Sequence, residues 1–162
     1  MMMDNNTVLV FKIEDQLYCI RLSYVLKAIQ SVAVKPLPKS PKIITGVINY
    51  HGEIILVLDT RSRFKKKPRP IIPSDQFLII NTGKRMYALP VDTVMGVHEI
   101  DALEPKKATE IDSNLGFVTH LLKYQDEIVF LVDCKKLISP REISSLNKAM
   151  NPKGGTAPHA ES

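Results

Sequence analysis

Short apolar runs separated by tight polar turns dominate the chain. Residues 8–13 form an apolar run of high β-propensity, Glu14-Asp15-Gln16 is a polar break, and residues 17–22 form a second run. This pattern predicts a β-hairpin. A second hairpin is predicted around Asn81-Thr82-Gly83-Lys84, whose residues suit a turn. Residues 46–59 hold two more apolar strands around an Asn/Gly turn, and residues 118–133 two others, turning near Gln125-Asp126. Short helices are predicted after the first two hairpins. Ser23 and Asp92 stand at capping positions, and Val25, Leu26 and Ile29, then Val94, Met95 and Val97, give apolar stripes. Three prolines make residues 34–41 an extended linker. Ser139-Pro140-Arg141-Glu142 opens a C-terminal helix over 139–150 with a capping box and an apolar stripe of Ile143, Leu146 and Met150. Residues 151–162, rich in Gly, Pro and small side chains, are expected to form a disordered tail.

The elements repeat. At an offset of 69 residues, Leu9 falls on Leu78, Tyr18 on Tyr87, Ile20 on Leu89, Leu22 on Val91, and Val25 on Val94. At an offset of 74, Tyr50 falls on Tyr124, Glu53 on Glu127, Ile54 on Ile128, and Asp59 on Asp133. Two ordered blocks shared by both halves mark two copies of one small module, read as 7–70 and 76–138. Strands in small units suggest two small barrels. Half-chains of this size have thin cores, so a further core shared between the barrels is expected, and exchange of strands between the modules is left open.

Composition narrows the function classes. The 162 residues are 44% apolar and 6% aromatic with no Trp, which suits a packed β-rich domain. Cys19 and Cys134 lie in apolar runs and are expected to be buried free thiols. The N-terminus shows no basic segment followed by an apolar core, and no apolar run reaches the roughly 18 residues of a membrane helix, so a soluble cytosolic protein without membrane insertion is expected. The net charge of +5 is concentrated in residues 61–69, where six of nine are basic. That run is expected to be a solvated loop between modules. As the alternative function, it could serve a nucleic-acid-binding β-barrel protein, although its lone aromatic, Phe64, offers no stacking platform. The four histidines share no metal-ligand spacing with one another or with the cysteines. There is no Gly-rich phosphate loop, nucleophile elbow or convergent acid–base set, so no catalytic residue and no cofactor is expected. Asp59 and Asp133 each follow a strand and are expected to accept hydrogen bonds from a turn.

Several stretches, in order, resemble the CheW family. They are the opening Leu9-Val10-Phe11 strand, the segment after Tyr18-Cys19-Ile20, and the proline-flanked linker. Then come Gly46-Val47-Ile48-Asn49-Tyr50-His51-Gly52 and a strand ending Leu58-Asp59-Thr60-Arg61. The resemblance spans 8–142. It implies a mostly β fold, with two SH3-like five-stranded β-barrel subdomains packed along a shared seam, short helices and the C-terminal helix. It implies a non-enzymatic cytoplasmic adaptor recruited to membrane receptor arrays. The implied partners are the regulatory domain of a CheA-type histidine kinase and the cytoplasmic tip of methyl-accepting chemotaxis receptors. It further implies kinase contacts at Val25, Lys27, Ile29 and Gly46, and receptor contacts at Asn49, His51, Gly52, Val94 and Val97. The chain departs from the commoner family signature Asn-Leu-Arg-Gly: His51 replaces the arginine, and Lys27 replaces the glutamate that faces it. Both charges of that pair are replaced, which points to a divergent member serving a dedicated pathway. Gly46 has two compatible readings, a backbone bend or close approach of the kinase.

Overall fold

The computed structural model describes residues 7–99, 106–107 and 116–150. These contain strands β1 (Thr7–Ile13), β2 (Gln16–Arg21), β3 (Val25–Gln30), β4 (Ile44–Tyr50), β5 (Glu53–Leu58), β6 (Gln76–Asn81), β7 (Met86–Val91), β8 (Thr93–Glu99), β9 (Lys106–Lys107), β10 (Val118–Tyr124) and β11 (Glu127–Val132). Helix α1 (Thr60–Arg63) follows β5, and α2 (Pro140–Met150) follows a 3₁₀ turn at Cys134–Lys136. A second 3₁₀ turn, Leu22–Tyr24, separates β2 from β3.

Two sheets form, in the orders β8-β1-β2-β11-β10-β9 and β3-β6-β7-β5-β4. Each draws strands from both sequence repeats. The β1–β2 hairpin takes β8 on one side and β11 on the other. The β6–β7 hairpin takes β3 and β5 from the first repeat. The joins between repeats at β11–β2 and β5–β7 are parallel, while the hairpins are antiparallel. Beyond β3 the chain crosses to the far edge of its sheet. There Lys35 and Val47 exchange both backbone hydrogen bonds, at 2.9 and 2.7 Å, closing a barrel. In the other sheet β9 pairs with β10 at the corresponding place, Lys106 opposite Leu121.

Closure explains why β1, β2, β6 and β7 read as nearly unbroken apolar runs: both of their faces are buried. Alternate residues serve different cores. Val8, Val10, Cys19, Leu122, Val129 and Leu131 fill one barrel. Their repeat counterparts Phe77, Ile79, Ala88, Ile48, Ile55 and Val57 fill the other. The opposite faces, with Leu9, Phe11, Tyr18 and Ile20 from one barrel and Leu78, Ile80, Tyr87 and Leu89 from the other, meet in a third core between the barrels. Phe64, Phe117, Leu137 and Leu146 seal that seam. Fully burying an aliphatic side chain of this size contributes about 1.5–3 kcal/mol, so the seam supplies what two thin barrels lack.

The local turns follow from the sequence. His51 and Gly52 have φ of 52° and 86°, and Gln125 and Asp126 of 49° and 65°, as a two-residue hairpin loop of the primed type requires. Asp59 Oδ1 accepts from the Ser62 N–H at 3.1 Å, and Asp133 Oδ1 from the Lys135 N–H at 3.0 Å. At α2, Ser139 Oγ accepts from the Glu142 N–H (3.1 Å) and Glu142 Oε1 from the Ser139 N–H (2.8 Å), the reciprocal capping box. Ile143 and Leu146 face the seam core, while Met150 stays exposed at the helix end.

Two expectations are overturned. The segments holding Val25, Leu26 and Ile29, and Val94, Met95 and Val97, are the strands β3 and β8, and only the 3₁₀ turn at 22–24 is helical near the first. The cause is a bulge in each. Pairing jumps from Val25–Ile80 to Lys27–Ile79 around Leu26, and from Val10–Gly96 to Phe11–Val94 around Met95. The extra residue switches the face. Val25 packs on the seam and Ile29, four residues on, packs inside a barrel. A spacing of four thus arises without a helix. The run 61–69 is likewise not simply solvated: Phe64 is 2% exposed in the seam, and its three arginines are ion-paired. The 151–162 tail lies outside the described residues.

Candidate functional site

The expected contact residues sort into three places. The first is β3 and the strand beside its extension. Val25 is half-buried against the seam, Lys27 is exposed, and Ile29 packs partly into a barrel core. Gly46 is buried in β4, and its φ is not positive. A Cβ there would overlap the Lys35 carbonyl and stand 2.8 Å from Val34 Cγ1. The close approach at Gly46 is therefore made by its own chain, at the point where the barrel closes. This accounts for the glycine structurally.

The second place is the β4–β5 turn. Asn49 Oδ1 accepts from the Gly52 N–H at 2.9 Å, and the His51 ring meets the Tyr50 ring edge-to-face at 4.3 Å between centroids. Asn49, His51 and Gly52 are all exposed. Lys27 and His51 lie on different elements, and among the described residues no hydrogen bond or ion pair joins them. The third place is β8. Val94 packs against the seam, whereas Val97 is 52% exposed. On the inward face, His98 Nε2 lies 3.0 Å from Tyr124 Oη.

Sequence reasoning missed the bulge residues as anchors. Leu26 and Met95 are 56% and 42% exposed, and they occupy matching repeat positions. Apolar side chains turned outward at two repeat-related bulges are suited to a protein interface. The repeat offset was the available signal, but a helical reading of both segments contains no bulge to turn Leu26 and Met95 outward.

Electrostatics tie the inter-repeat loop to both barrels. Arg61 binds Glu14 at 2.9 Å and Asp92 at 2.7 Å. Arg69 binds Asp75 at 2.7 Å and Asp92 at 3.1 Å. Arg63 pairs with Glu142 of the capping box. Burial works to raise the Asp75 carboxyl, but Arg69 and the Ile72 N–H outweigh it and hold the group below its ordinary value. Glu142 is likewise held low: the Ser139 N–H and Arg63 outweigh burial. Cys19 and Cys134 are free and buried, and burial foremost pushes both thiols up to about 12. Neither is a nucleophile at neutral pH. Among the described residues no group of His, Cys, Asp and Glu could hold a metal ion, and no helix is long and apolar enough to cross a membrane.

The model of the CheW-like domain matches residues 7–142. The chain belongs to the CheW-like family. Similar proteins include the chemotaxis protein CheW of Klebsiella aerogenes, 26% identical over 138 residues (84% of this chain, 83% of that protein). The chemotaxis protein CheW of Treponema pallidum is 20% identical over 142 residues, covering 84% of each. Protein FrzA of Myxococcus xanthus is 30% identical over 104 residues, 57% of this chain and 65% of that protein. The fold matches the scaffolding protein TtCheW from Thermoanaerobacter tengcongensis with a TM-score of 0.76, at 24% identity, over 88% of this chain and 92% of that one. CheW-family proteins are scaffolds and adaptors of chemotaxis, not enzymes, and this chain is one of them.

Proposed function

We propose that this CheW-family chain couples the cytoplasmic tip of methyl-accepting receptors to the regulatory domain of a CheA-type histidine kinase. It acts in the cytoplasm and is recruited to receptor arrays at the membrane. The observation that carries this reading is the pair of repeat-related bulges. They give each barrel an outward apolar side chain, Leu26 on β3 and Met95 on β8, the latter joined by Val97. The two modules thus offer two comparable but non-identical surfaces, which an adaptor between two partners needs. Lys27 and Leu26 are assigned to the kinase side, with Val25 and Ile29 supporting them from below. The Asn49–Gly52 turn, Val94 and Val97 are assigned to the receptor side. Gly46 is assigned an indirect part, through closure of the barrel beneath β3. The adaptor changes kinase output to the extent that its contacts differ between receptor signalling states.

Calorimetric titration with the kinase regulatory domain from the same organism tests the reading. Binding in the micromolar range or tighter is expected, weakened at least about tenfold by Leu26→Asp or Lys27→Glu. Val97→Asp is expected to keep kinase binding and lose co-sedimentation with receptor-containing membranes. A chain that binds no kinase regulatory domain of its organism would overturn the proposal. Nucleic acid is not favoured as the partner of residues 61–69, because Arg61, Arg63 and Arg69 are engaged by carboxylates and Phe64 is buried.

A further inference from the structure

The two barrels are related by the repeat, yet their hairpin ends carry opposite charge. At the β1–β2 end stand Glu14 and Asp15, with Asp92 beside them, and Arg61 is held there by Glu14 and Asp92. The repeat counterparts of these acids are Gly83, Lys84 and Ser23, and the counterpart of Arg61 is Lys135. The carboxylates are gone and the cations stay. Two adjoining cavities open at this second end, of about 760 and 780 Å³, sharing Lys84, Lys135, Ile138 and Ile143. Lys65 and Lys136 line the first of them, above a floor that includes Phe117 and Ile138. Lys65, Lys84, Lys135 and Lys136 are all exposed. Among the described residues, none of the four reaches a carboxylate, and Lys135 has only the Tyr24 ring, 5.9 Å from its Nζ. The arginines of the same region are occupied, Arg63 by Glu142 and Arg85 by Asn147. None of the residues assigned above to kinase or receptor lines these cavities.

We propose that this basic-rimmed, apolar-floored groove docks an acidic peptide segment of a partner protein, with carboxylates on the four lysines and apolar side chains on Ile138, Ile143 and Phe117. Charge complementarity selects the acidic partner. A peptide fits better than a nucleic acid because the aromatics lining the cavities, Phe117 and Tyr87, are buried and give bases nothing to stack on. The groove is a third surface, independent of the adaptor reading.

Fluorescence anisotropy on the full chain tests it, with a short labelled peptide of glutamates bearing a leucine at every third position. Binding is expected to weaken at least about tenfold in the Lys84→Glu, Lys135→Glu, Lys136→Glu triple variant. It is expected to hold in Lys123→Glu, an exposed lysine of β10 away from the groove, and to fall when the peptide's leucines become serines. Circular dichroism checks that each variant is folded. No binding to the native chain, equal losses in Lys123→Glu, or indifference to the leucines would overturn the proposal. Tighter binding of an oligothymidylate of matched length would replace it with a nucleic-acid site.

Discussion

The interiors of the two barrels match position by position, while their rims do not. Val10 and Ile79, Cys19 and Ala88, and Val129 and Ile55 fill equivalent places. Yet Gly46, pressed against the Lys35 carbonyl in one barrel, corresponds to His120 in the other. Likewise Arg61, locked by Glu14 and Asp92, corresponds to Lys135, which among the described residues is paired with no carboxylate. Packing admits few alternatives at an enclosed site, whereas a rim answers to its own neighbours and to partners. Difference between the copies therefore collects at the rims and not in the barrel interiors.

The sharpest way to break the comparison is at Gly46. Gly46→Asp should cost about 3 kcal/mol or more, since it forces a charged side chain into the closing strand. His120→Gly should cost less than about 1 kcal/mol. Urea unfolding of both variants reads the difference, and a native midpoint for Gly46→Asp would refute the closure role. Next in size is the interior. Ile79→Ala should lose about 2–5 kcal/mol, and Val10→Ala less, because it removes a smaller side chain from the equivalent place. A Val10→Ala loss larger than that of Ile79→Ala would show the barrels to be unequal inside. At the rim, Arg61→Ala should cost about 1 kcal/mol, shrinking in high salt, and Lys135→Ala should stay within about 0.5 kcal/mol. Equal effects would erase the asymmetry between the two ends. Acid titration gives the smallest effect. Asp75 and Glu142 have ordinary values of 3.8 and 4.5 and are held lower in the fold. The folded state then binds fewer protons. Their contribution is complete above those ordinary values and is lost as pH falls through the lowered ones. Asp75→Asn and Glu142→Gln should flatten the loss of stability below about pH 4.5, and an unchanged acid limb would exclude these two groups as its source.

Much of the fold was legible because it is local. The hairpin turns, the Asp59 and Asp133 caps and the Ser139–Glu142 box each depend on a few neighbouring residues. The repeat also anticipated the shared seam. What stayed hidden is non-local. The bulges at Leu26 and Met95 exist because of the partners β6 and β1, so the apolar spacing in β3 and β8 imitated a helix. The burden carried by Gly46 comes from residues 34–35, which its own neighbourhood does not announce. Two of the arginines in the basic run are engaged from equally far along the chain, Arg61 reaching Glu14 and Arg63 reaching Glu142. At the candidate site the residue types were visible, but which of them face outward was decided by those same bulges.

Strand sharing between the repeats also sets a timetable for synthesis. The β1–β2 hairpin emerges early, yet its parallel neighbour β11 is made more than a hundred residues later, as the Gln16–Ile128 contact across 112 positions shows. The β6–β7 hairpin, in contrast, meets β3 and β5 already waiting. One barrel can therefore assemble while the ribosome is still at work, and the other stays open until β11 clears the exit tunnel. Pairing over such a span is slow and leaves strand edges bare meanwhile. A nascent chain stalled after β7 should resist protease in its β3–β7 portion and remain cleavable in β1–β2.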